Sequence, residues 1–461
     1  MEILERHYGE RYKWFFLVVM ALGSVSGVLA SASFNVAIPA MMRHFHLVQS
    51  QAQWVVTGFM AAMTVAMLPT HWLLHRLGIR RVFLLCMALL AVGSALGVFA
   101  PNFLVLVGAR ILQGVAAGIL QPLGYLVVMQ LFPSGKQGRA SGILSFGVVL
   151  APAMAPALGG VLLDGFGWQA IFFLNVPFFI MASVLGLYIL PRPQKTHARR
   201  FDWTGLVLTT LATLALVEAI ANLQTSGPAA PWTLGNLLVA ALALAAFIHH
   251  GRRAEAPLIS LGLFRNPTFC MGAIVSFAYG FGLYASTYLI PVFLQSALGF
   301  SAAAAGTALL PGGLALAASI PFAGRLADHY PPKWITAAGL ALFAFSFLLF
   351  AGWNGHITWL EIALVTVMGR IGLALILPSL NLATLRHLEA HHLAQSSVVI
   401  SYTRQVGGVL GIAIVAVFVG WREHVHGFAP PGVFSAYAQG FLLLALVFVA
   451  ALIAACRMKG Q

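Results

Sequence analysis

The sequence predicts an all-α membrane protein with fourteen transmembrane helices. Of its 461 residues, 60% are hydrophobic and only 8% are charged, whereas soluble domains carry about 25% charged residues. A chain this apolar must be surrounded by lipid, where only helices or closed barrels satisfy the backbone. The apolar runs are continuous and roughly 20 residues long, without the period-two alternation of barrel strands, so they are spanning helices.

Fourteen apolar runs follow one another along the chain. They lie near residues 14–38, 52–74, 82–100, 103–131, 140–163, 169–190, 203–222, 234–250, 268–293, 302–323, 333–352, 358–382, 396–420 and 436–456. The longest polar stretches are about 191–202, 223–233, 251–267 and 421–435. These stretches are too short to form a soluble domain.

The distribution of charge predicts membrane orientation and no nucleic-acid partner, although the net charge is +14. The N-terminal tail, every second loop and the C-terminal tail together contain 20 of the 25 Lys and Arg residues. The opposite loops contain only Arg43 and Arg422. By the positive-inside rule, this multi-pass chain has both termini in the cytoplasm.

An internal repeat divides the chain. Residues 71–80, after the second run, are similar to residues 324–333, after the tenth, because both turns have Leu third and a basic residue last. Repeats of this kind are typical of transporters built from two related halves. We therefore expect a six-helix half at 1–190, a linker with two extra helices at 191–267, and a second six-helix half at 268–461.

Short motifs occur in order along the runs. They are NVAIP from Asn35; RILQGVAAG from Arg110, with Gln113, Gly114 and Gly118; PALGG from Pro156, with Gly159 and Gly160; and RQVGG from Arg404, with Gln405. The ordered set resembles the fourteen-helix drug:proton antiporters of the major facilitator superfamily, the EmrB/QacA type. This resemblance implies the major facilitator fold, with two extra central helices, and a secondary active exporter in a bacterial cytoplasmic (inner) membrane. Multidrug or amphiphile efflux by alternating access, in exchange for protons, is the implied function.

The fourth run has two features with separate physical meanings. A cation such as Arg110 is costly within a membrane unless it is paired or hydrated, and the matching Arg of the family is implicated in proton coupling. The alternative is a structural Arg tied to backbone carbonyls. Gln113 could form a hydrogen bond across helices, while Gly114 and Gly118 share one face and allow another helix to approach closely.

The fifth run and the two repeated turns are expected to shape the conformational change. Pro156 with Gly159 and Gly160 predicts a bent, narrow helix. The family has Gly and Asp where this chain has His71 and His75, which are alternatively simple loop residues. The remaining latch candidates are Arg76, Gly78 and Arg80 in the first turn, and Gly324 and Asp328 in the second. We expect any latch between the halves to depend on Asp328.

The chain lacks an acid that the family usually has in its first helix, since Ala30 occupies that position. Among the 11 Asp and Glu residues, only Glu218 lies inside a run and away from its ends. Burial raises the pKa of a carboxyl group, which would allow proton exchange near neutral pH. Glu218 and Arg110 are therefore the proton-coupling candidates. Alternatively, the seventh helix ends early and Glu218 meets lipid headgroups.

The expected substrate follows from the interior charges. Arg110, Arg370 and Arg404 bias the interior towards positive charge, so neutral or anionic amphiphiles are favoured over cations. The sequence contains no cofactor, metal or enzyme motif, and a periplasmic adaptor protein is a candidate partner besides the lipid bilayer. The alternative functions are an uncoupled carrier, a lipid or metabolite transporter, and a non-transporting sensor or scaffold.

Overall fold

The structure is a computed structural model of the chain. It describes residues 11–47, 49–52, 54–133, 135–191, 201–227, 229–255, 257–353, 357–386, 388–427 and 429–458. These residues form helices and their connections, without strands. The side chains of three predicted motif residues, Asn35, Pro156 and Gly160, lie outside the described set.

The first eight α-helices form an N-terminal bundle. They are α1 (Arg11–Ala32), α2 (Ile38–Phe45), α3 (Gln49–Ala52), α4 (Trp54–Ala66), α5 (Thr70–Val98), α6 (Phe103–Leu131), α7 (Gln137–Phe166) and α8 (Val176–Ile189), with 3-10 turns at Ser33–Ala37 and Trp168–Asn175. Asn102 starts α6 by accepting a hydrogen bond from the Val105 N–H at 3.0 Å. This contact satisfies one of the N–H groups that every helix start leaves without a partner.

Two helices form the linker, and six form a C-terminal bundle. They are α9 (Trp203–Ser226) and α10 (Pro231–Gly251), then α11 (Pro267–Ser296), α12 (Ala302–His329), α13 (Pro332–Ala351), α14 (Trp359–Leu385), α15 (Ala390–His426) and α16 (Pro430–Arg457). Polar N-caps mark several starts: Asp202 for α9, Asn266 for α11 and Ser301 for α12. Thr358 and Glu361 cap each other's backbone at the start of α14.

Twelve helical stretches within the described residues are long and apolar enough to cross a membrane. The predicted runs 52–74 and 82–100 appear as the short helix α4 and the long helix α5. A single non-helical residue, Gly78 with φ 76° and ψ 160°, breaks α5. Glycine allows this backbone conformation without steric cost. The turn expected at 71–80 is therefore confined to one residue, with helix on both sides.

The packed interior of the C-terminal bundle continues into buried residues of the N-terminal bundle, such as Leu17, Tyr125 and Leu144, and the N-terminal bundle has a second interior of its own. Aromatic rings dominate the C-terminal one, where the ring centroids of Phe343 and Phe448 lie 4.8 Å apart and those of Phe350 and Phe441 lie 4.9 Å apart. The N-terminal interior contains Phe83, fully buried, with Met and Leu side chains around it. In lipid, such close packing contributes more to association than removal from water does.

The two bundles meet along contacts made by small residues. On one side α7 packs against α12, and on the other side α6 packs against α15. A Cβ atom at Gly138 would collide with the Gly324 carbonyl oxygen, and one at Gly324 would collide with the Gly138 carbonyl oxygen. The backbones of α7 and α12 therefore touch directly at this end of the seam, because neither position has a side chain.

Asp202 ties the linker together. Its carboxylate accepts hydrogen bonds from the N–H groups of Gly205 at 2.7 Å and Leu258 at 2.9 Å, and lies 2.8 Å from His250 Nε2. Burial alone raises the pKa of Asp202, but these three partners outweigh it and hold the pKa below its ordinary value. The linker is also fixed to α15, because the Thr213 and Tyr402 hydroxyls lie 2.7 Å apart.

Candidate functional site: a cavity between the bundles

A cavity of about 350 Å³ lies between the two bundles. Side chains from α1, α6 and α7 of the N-terminal bundle face side chains from α11, α12, α14 and α15 of the C-terminal bundle. The polar part of its lining consists of Ser24, Gln121, Tyr125, Tyr279, Tyr284, Thr287, Arg370, Arg404 and Gln405. Leu and Val side chains form most of the remainder. The cavity is large enough for a small organic molecule.

The charges in this lining are all positive. Arg370 of α14 and Arg404 of α15 both line the cavity, and no described lining residue is Asp or Glu. The expected positive interior is therefore present at these two residues. Arg110, the third cation of that expectation, does not line the cavity.

Arg404 is weakly held although it is buried, with 9% of its surface exposed. Its Nη2 atom lies 3.5 Å from both Gln121 Oε1 and Ser401 Oγ, at the limit of a hydrogen bond. Its Nη1 atom has no hydrogen-bond partner among the described residues. Next to it, Gln405 Nε2 lies 3.5 Å from the Met60 sulfur.

Three tyrosines surround these cations, and the sequence analysis did not find them. The Tyr125 ring lies below the Arg404 guanidinium at 5.6 Å, and its hydroxyl is 3.2 Å from Ser145 Oγ. Tyr279 is fully buried, and Tyr284 lies one turn further along α11. Tyrosines of membrane proteins concentrate at the membrane–water interfaces. Tyrosines in the middle of an apolar run are therefore the sequence signal that could have identified these cavity residues.

Arg110 lies inside the N-terminal bundle, at 0% exposure. Its guanidinium is held between the rings of Phe34 and Phe59, with its Cζ atom 4.0 Å and 4.4 Å from the two ring centroids. Its Nε donates to the Val55 carbonyl at 3.3 Å, and Nη1 donates to Gln113 Oε1 at 2.5 Å. Cation–π and hydrogen-bond contacts stabilise this buried charge.

Gln113 extends this contact across helices, as expected. Its Nε2 donates to the Ser94 hydroxyl at 3.0 Å, so α4, α5 and α6 are joined through one polar chain. No carboxylate of the described residues pairs with Arg110. The geometry therefore matches the alternative in which Arg110 is a structural residue bound to backbone. A role of Arg110 in proton coupling would have to act through Gln113 and Ser94.

The predicted small residues lie where helices approach most closely. A Cβ atom at Gly114 would collide with the Phe59 carbonyl oxygen, and one at Gly118 with the Met63 carbonyl oxygen. Gly159 is buried, and its Cβ position would be 3.3 Å from the Ser33 carbonyl oxygen. These glycines allow α6 to approach α4, and α7 to approach the turn that follows α1.

The acid candidates lie apart from the cavity. Glu218 has an exposed side chain on α9, a helix of the linker that contributes nothing to the lining. Ala30, which occupies the position of the family acid, is 2% exposed and packs in the N-terminal interior. The described residues contain no group of three or more His, Cys, Asp or Glu that could hold a metal ion.

The second repeated turn joins the two bundles through Asp328. Its Oδ1 accepts the Gly138 N–H at 2.6 Å, and its Oδ2 accepts the Arg139 N–H at 2.8 Å, at the start of α7. A carboxylate at a helix N-terminus is stabilised by the helix dipole and by N–H groups that lack helical partners. Arg386 Nη2 lies 3.8 Å from the same carboxylate.

The first repeated turn is built differently. The His71 and His75 rings meet edge to face at 4.6 Å, and the Arg76 guanidinium lies 5.0 Å from the Trp72 ring. Gly78 makes the turn itself, and Arg80 is half-buried beside it. Arg76 thus contacts a neighbour on its own helix, whereas Asp328 contacts the opposite bundle.

Two helical bundles around a cation-lined central cavity define a membrane transporter. Residues 20–412 match the family model described as Major Facilitator Superfamily, and the chain belongs to this superfamily. Similar proteins include a multidrug resistance protein B homolog of Mycobacterium tuberculosis, 29% identical over 88% of this chain and 76% of the relative. The lincomycin resistance protein LmrB of Bacillus subtilis is 25% identical over 88% of this chain and 86% of the relative.

Solved structures agree on the fold. A crystal structure of the human organic anion transporter MFSD10 has a TM-score of 0.65 at 16% identity, covering 95% of this chain and 99% of the other. The fucose:proton symporter of E. coli has a TM-score of 0.64 at 14% identity, covering 98% and 100%. The multi-pass helical architecture is therefore that of the superfamily.

Proposed function

We propose that this transporter is a secondary active exporter of amphiphilic small molecules, of the fourteen-helix EmrB/QacA type, in a bacterial cytoplasmic membrane. The observation that carries the proposal is the cavity between two bundles whose contact at one end is made by Asp328. Relatives named for lincomycin and multidrug resistance support export as the direction of transport.

The proposed topology has fourteen crossings and both termini in the cytoplasm. Gly78 divides α5, so that α4 with the first part of α5 makes one crossing and the remainder makes the next. Helix α7 has 30 residues, enough to span about 45 Å. The halves are then 1–190 and 268–461, and the linker 191–267 contributes the two additional crossings.

Alternating access is supported by the contacts between and within the bundles. Glycine-to-backbone contacts such as those of Gly138 and Gly324 let two helices slide or separate without interlocking side chains. The Asp328 hydrogen bonds end on backbone N–H groups, so they can form and break as a unit. We propose that Asp328 and Gly324 stabilise the state that is closed to the cytoplasm.

Proton exchange is the proposed source of energy, and Arg110 and Glu218 are its candidate residues. Arg110 would act through Gln113 and Ser94, because it has no acid partner among the described residues. Glu218 would act from the surface of α9, where its side chain is exposed. An uncoupled carrier is the second candidate function, and the absence of an acid among the described cavity residues favours it.

Flux into proteoliposomes tests the proposal. The probe is radiolabelled naphthalene-2-sulfonate, a permanent organic anion that does not cross lipid on its own. We expect the flux to accelerate under an opposing pH gradient. In the Glu218→Gln and Arg110→Ala variants, we expect the flux to become independent of this gradient. Full coupled activity of Arg110→Ala excludes its role. Equal flux with and without the gradient identifies an uncoupled carrier, and lack of flux by folded protein identifies a non-transporting relative.

A further inference from the structure

We propose that the central cavity contains an anion-binding site formed by Arg404, Arg370 and the Tyr279 hydroxyl. Its ligand is an organic anion with a single sulfonate, carboxylate or phosphate headgroup and an apolar body. This inference rests on the proposed exporter function for the direction of transport, but the site itself rests on the cavity. It replaces the broad class of neutral or anionic amphiphiles with one headgroup chemistry.

Arg404 has unused hydrogen-bonding capacity. A guanidinium carries five N–H donors in a fixed fork that matches an oxyanion. Here Nη2 has two contacts at 3.5 Å, and Nη1 has none among the described residues, although the side chain is more than nine-tenths buried. A buried charge left in this state is unfavourable. An oxyanion in the cavity would supply the missing partner.

Other hydrogen-bond donors line the same cavity. Arg370 also lines the cavity, passes beside Gly312, and has no hydrogen bond to a described residue. Tyr279 and Tyr284 line the same cavity as the two guanidinium groups. The hydroxyls of these two tyrosines also lack hydrogen bonds to described residues. Two cations and two hydroxyl donors therefore line one cavity.

The described lining contains no acid that would compete with a ligand for the two cations. No described lining residue is Asp or Glu, so nothing in the described cavity neutralises these cations. A cationic ligand would meet two like charges without compensation, whereas an anion would be attracted by both.

The remaining lining selects the apolar part of the ligand. Val28, Leu144, Val148, Leu283 and Leu309 are among the aliphatic residues of the cavity. They come from both bundles, as do the polar partners, since Gln121 belongs to α6 and Arg404 to α15. A bound anion would compete with Gln121 for Arg404 Nη2, which links ligand binding to the contact between bundles.

A matched series of ligands tests the site. Full-length protein in phosphatidylcholine nanodiscs is titrated calorimetrically with naphthalene-2-sulfonate, the neutral naphthalene-2-sulfonamide and the cationic 2-naphthyltrimethylammonium. We expect the sulfonate to bind at least 10-fold more tightly than the sulfonamide and the cation not to bind. Equal affinities for sulfonate and sulfonamide, or no binding of the sulfonate, overturn the proposal.

Variants assign the preference to residues. Arg404→Gln and Arg370→Gln should each reduce sulfonate affinity at least 10-fold and leave the sulfonamide unchanged, while Arg404→Lys should retain part of the preference. Arg422→Gln, on the same helix but outside the lining, is the control and should change nothing. Unchanged sulfonate affinity in both Gln variants, with normal thermal unfolding, overturns the assignment.

Two further comparisons distinguish a lipid headgroup from a soluble anion, and the anion site from the exporter function. If phosphatidylglycerol in the nanodiscs lowers sulfonate affinity in an Arg404-dependent way, the anion is a lipid headgroup; unchanged affinity identifies a soluble anion. Charge-selective binding without flux would refute the exporter function but retain the site. Flux without selectivity for anions would refute the site but retain the exporter.

Discussion

The two repeated turns, at 71–80 and 324–333, occupy equivalent places in the sequence repeat but connect to their surroundings differently. The second turn places Asp328 on the start of α7 in the opposite bundle. The first has His75 at the matching position, packed edge to face on His71. The second turn thus provides a fixed negative charge to a helix N-terminus, and the first turn has no such charge at the matching position. The closed state should therefore depend mainly on the α7–α12 seam.

The largest effect is expected from Gly324→Val. The new side chain would collide with the Gly138 backbone, which cannot yield as a flexible side chain can. Overpacking of this kind costs about 3 kcal/mol, or roughly 100-fold in the closed-state equilibrium. Spin labels at Arg81 and Lys333 should report a longer distance. Gly235→Val, where the Cβ position has nothing within 4 Å, is the control, and an unchanged distance in Gly324→Val would contradict the direct backbone contact.

Asp328→Asn should have the next largest effect. Asn keeps one acceptor but loses the charge, so one N–H of Gly138 or Arg139 loses a charged partner. A hydrogen bond to a charged group contributes about 1.5 kcal/mol or more, so the open population should rise about 10-fold. The same spin-label distance measures it. Asp328→Glu is the matched variant that keeps the charge, and equal behaviour of Asn and the wild type would remove Asp328 from the latch.

Arg386→Gln should shift the equilibrium less. Its Nη2 lies 3.8 Å from Asp328 and the side chain is partly exposed, at 20%. Ion pairs of this kind contribute about 1 kcal/mol or less, which corresponds to about 5-fold or less. In the Asp328→Asn background the same substitution should have a smaller effect, because the charged contact with Asp328 is already lost. Additive effects in the double variant would show that Arg386 acts elsewhere.

The smallest effect is expected from His75→Asp, which restores the family acid to the first turn. Helix α15, which contacts α5, already follows an acid, Glu389, at its N-terminus. A second acid should therefore change the closed population by no more than about 2-fold. A gain comparable to the loss in Asp328→Asn would mean that the two turns are equivalent after all. Transport rates at fixed probe concentration provide an independent readout.

The sequence predicted an all-helical membrane fold because hydropathy can be read from composition, and twelve helical stretches of the described residues are long and apolar enough to span a membrane. The resemblance led us to expect that any latch would depend on Asp328, and its hydrogen bonds to Gly138 and Arg139 are contacts with the opposite bundle. The rotation of each helix was not predictable, because a spanning helix is apolar on all sides and has no polar stripe to orient it. For this reason the sequence placed Glu218 in a membrane-spanning run without showing that its side chain lies on the exposed surface of α9, and the tyrosines around Arg404 were missed.

The same reason explains Arg110. Its position in an apolar run indicated a costly buried charge, but the run could not show which side chains and carbonyls contact the guanidinium. Phe34, Phe59 and the Val55 carbonyl come from distant parts of the chain, and only their three-dimensional arrangement encloses the guanidinium. Arg404 carries the same charge in a similar run, yet it faces a cavity. Two residues with one sequence signature thus have two different environments.

Helix α9 contacts both α4 of the N-terminal bundle and α15 of the C-terminal bundle. It therefore covers the boundary between the bundles on its side of the molecule. On the other side, α7 meets α12 without a covering helix among the described residues. A lipophilic molecule dissolved in the bilayer would then have unequal access to the boundary between the bundles. On one side the linker covers this boundary, and on the other side only the glycine backbones and Asp328 close it.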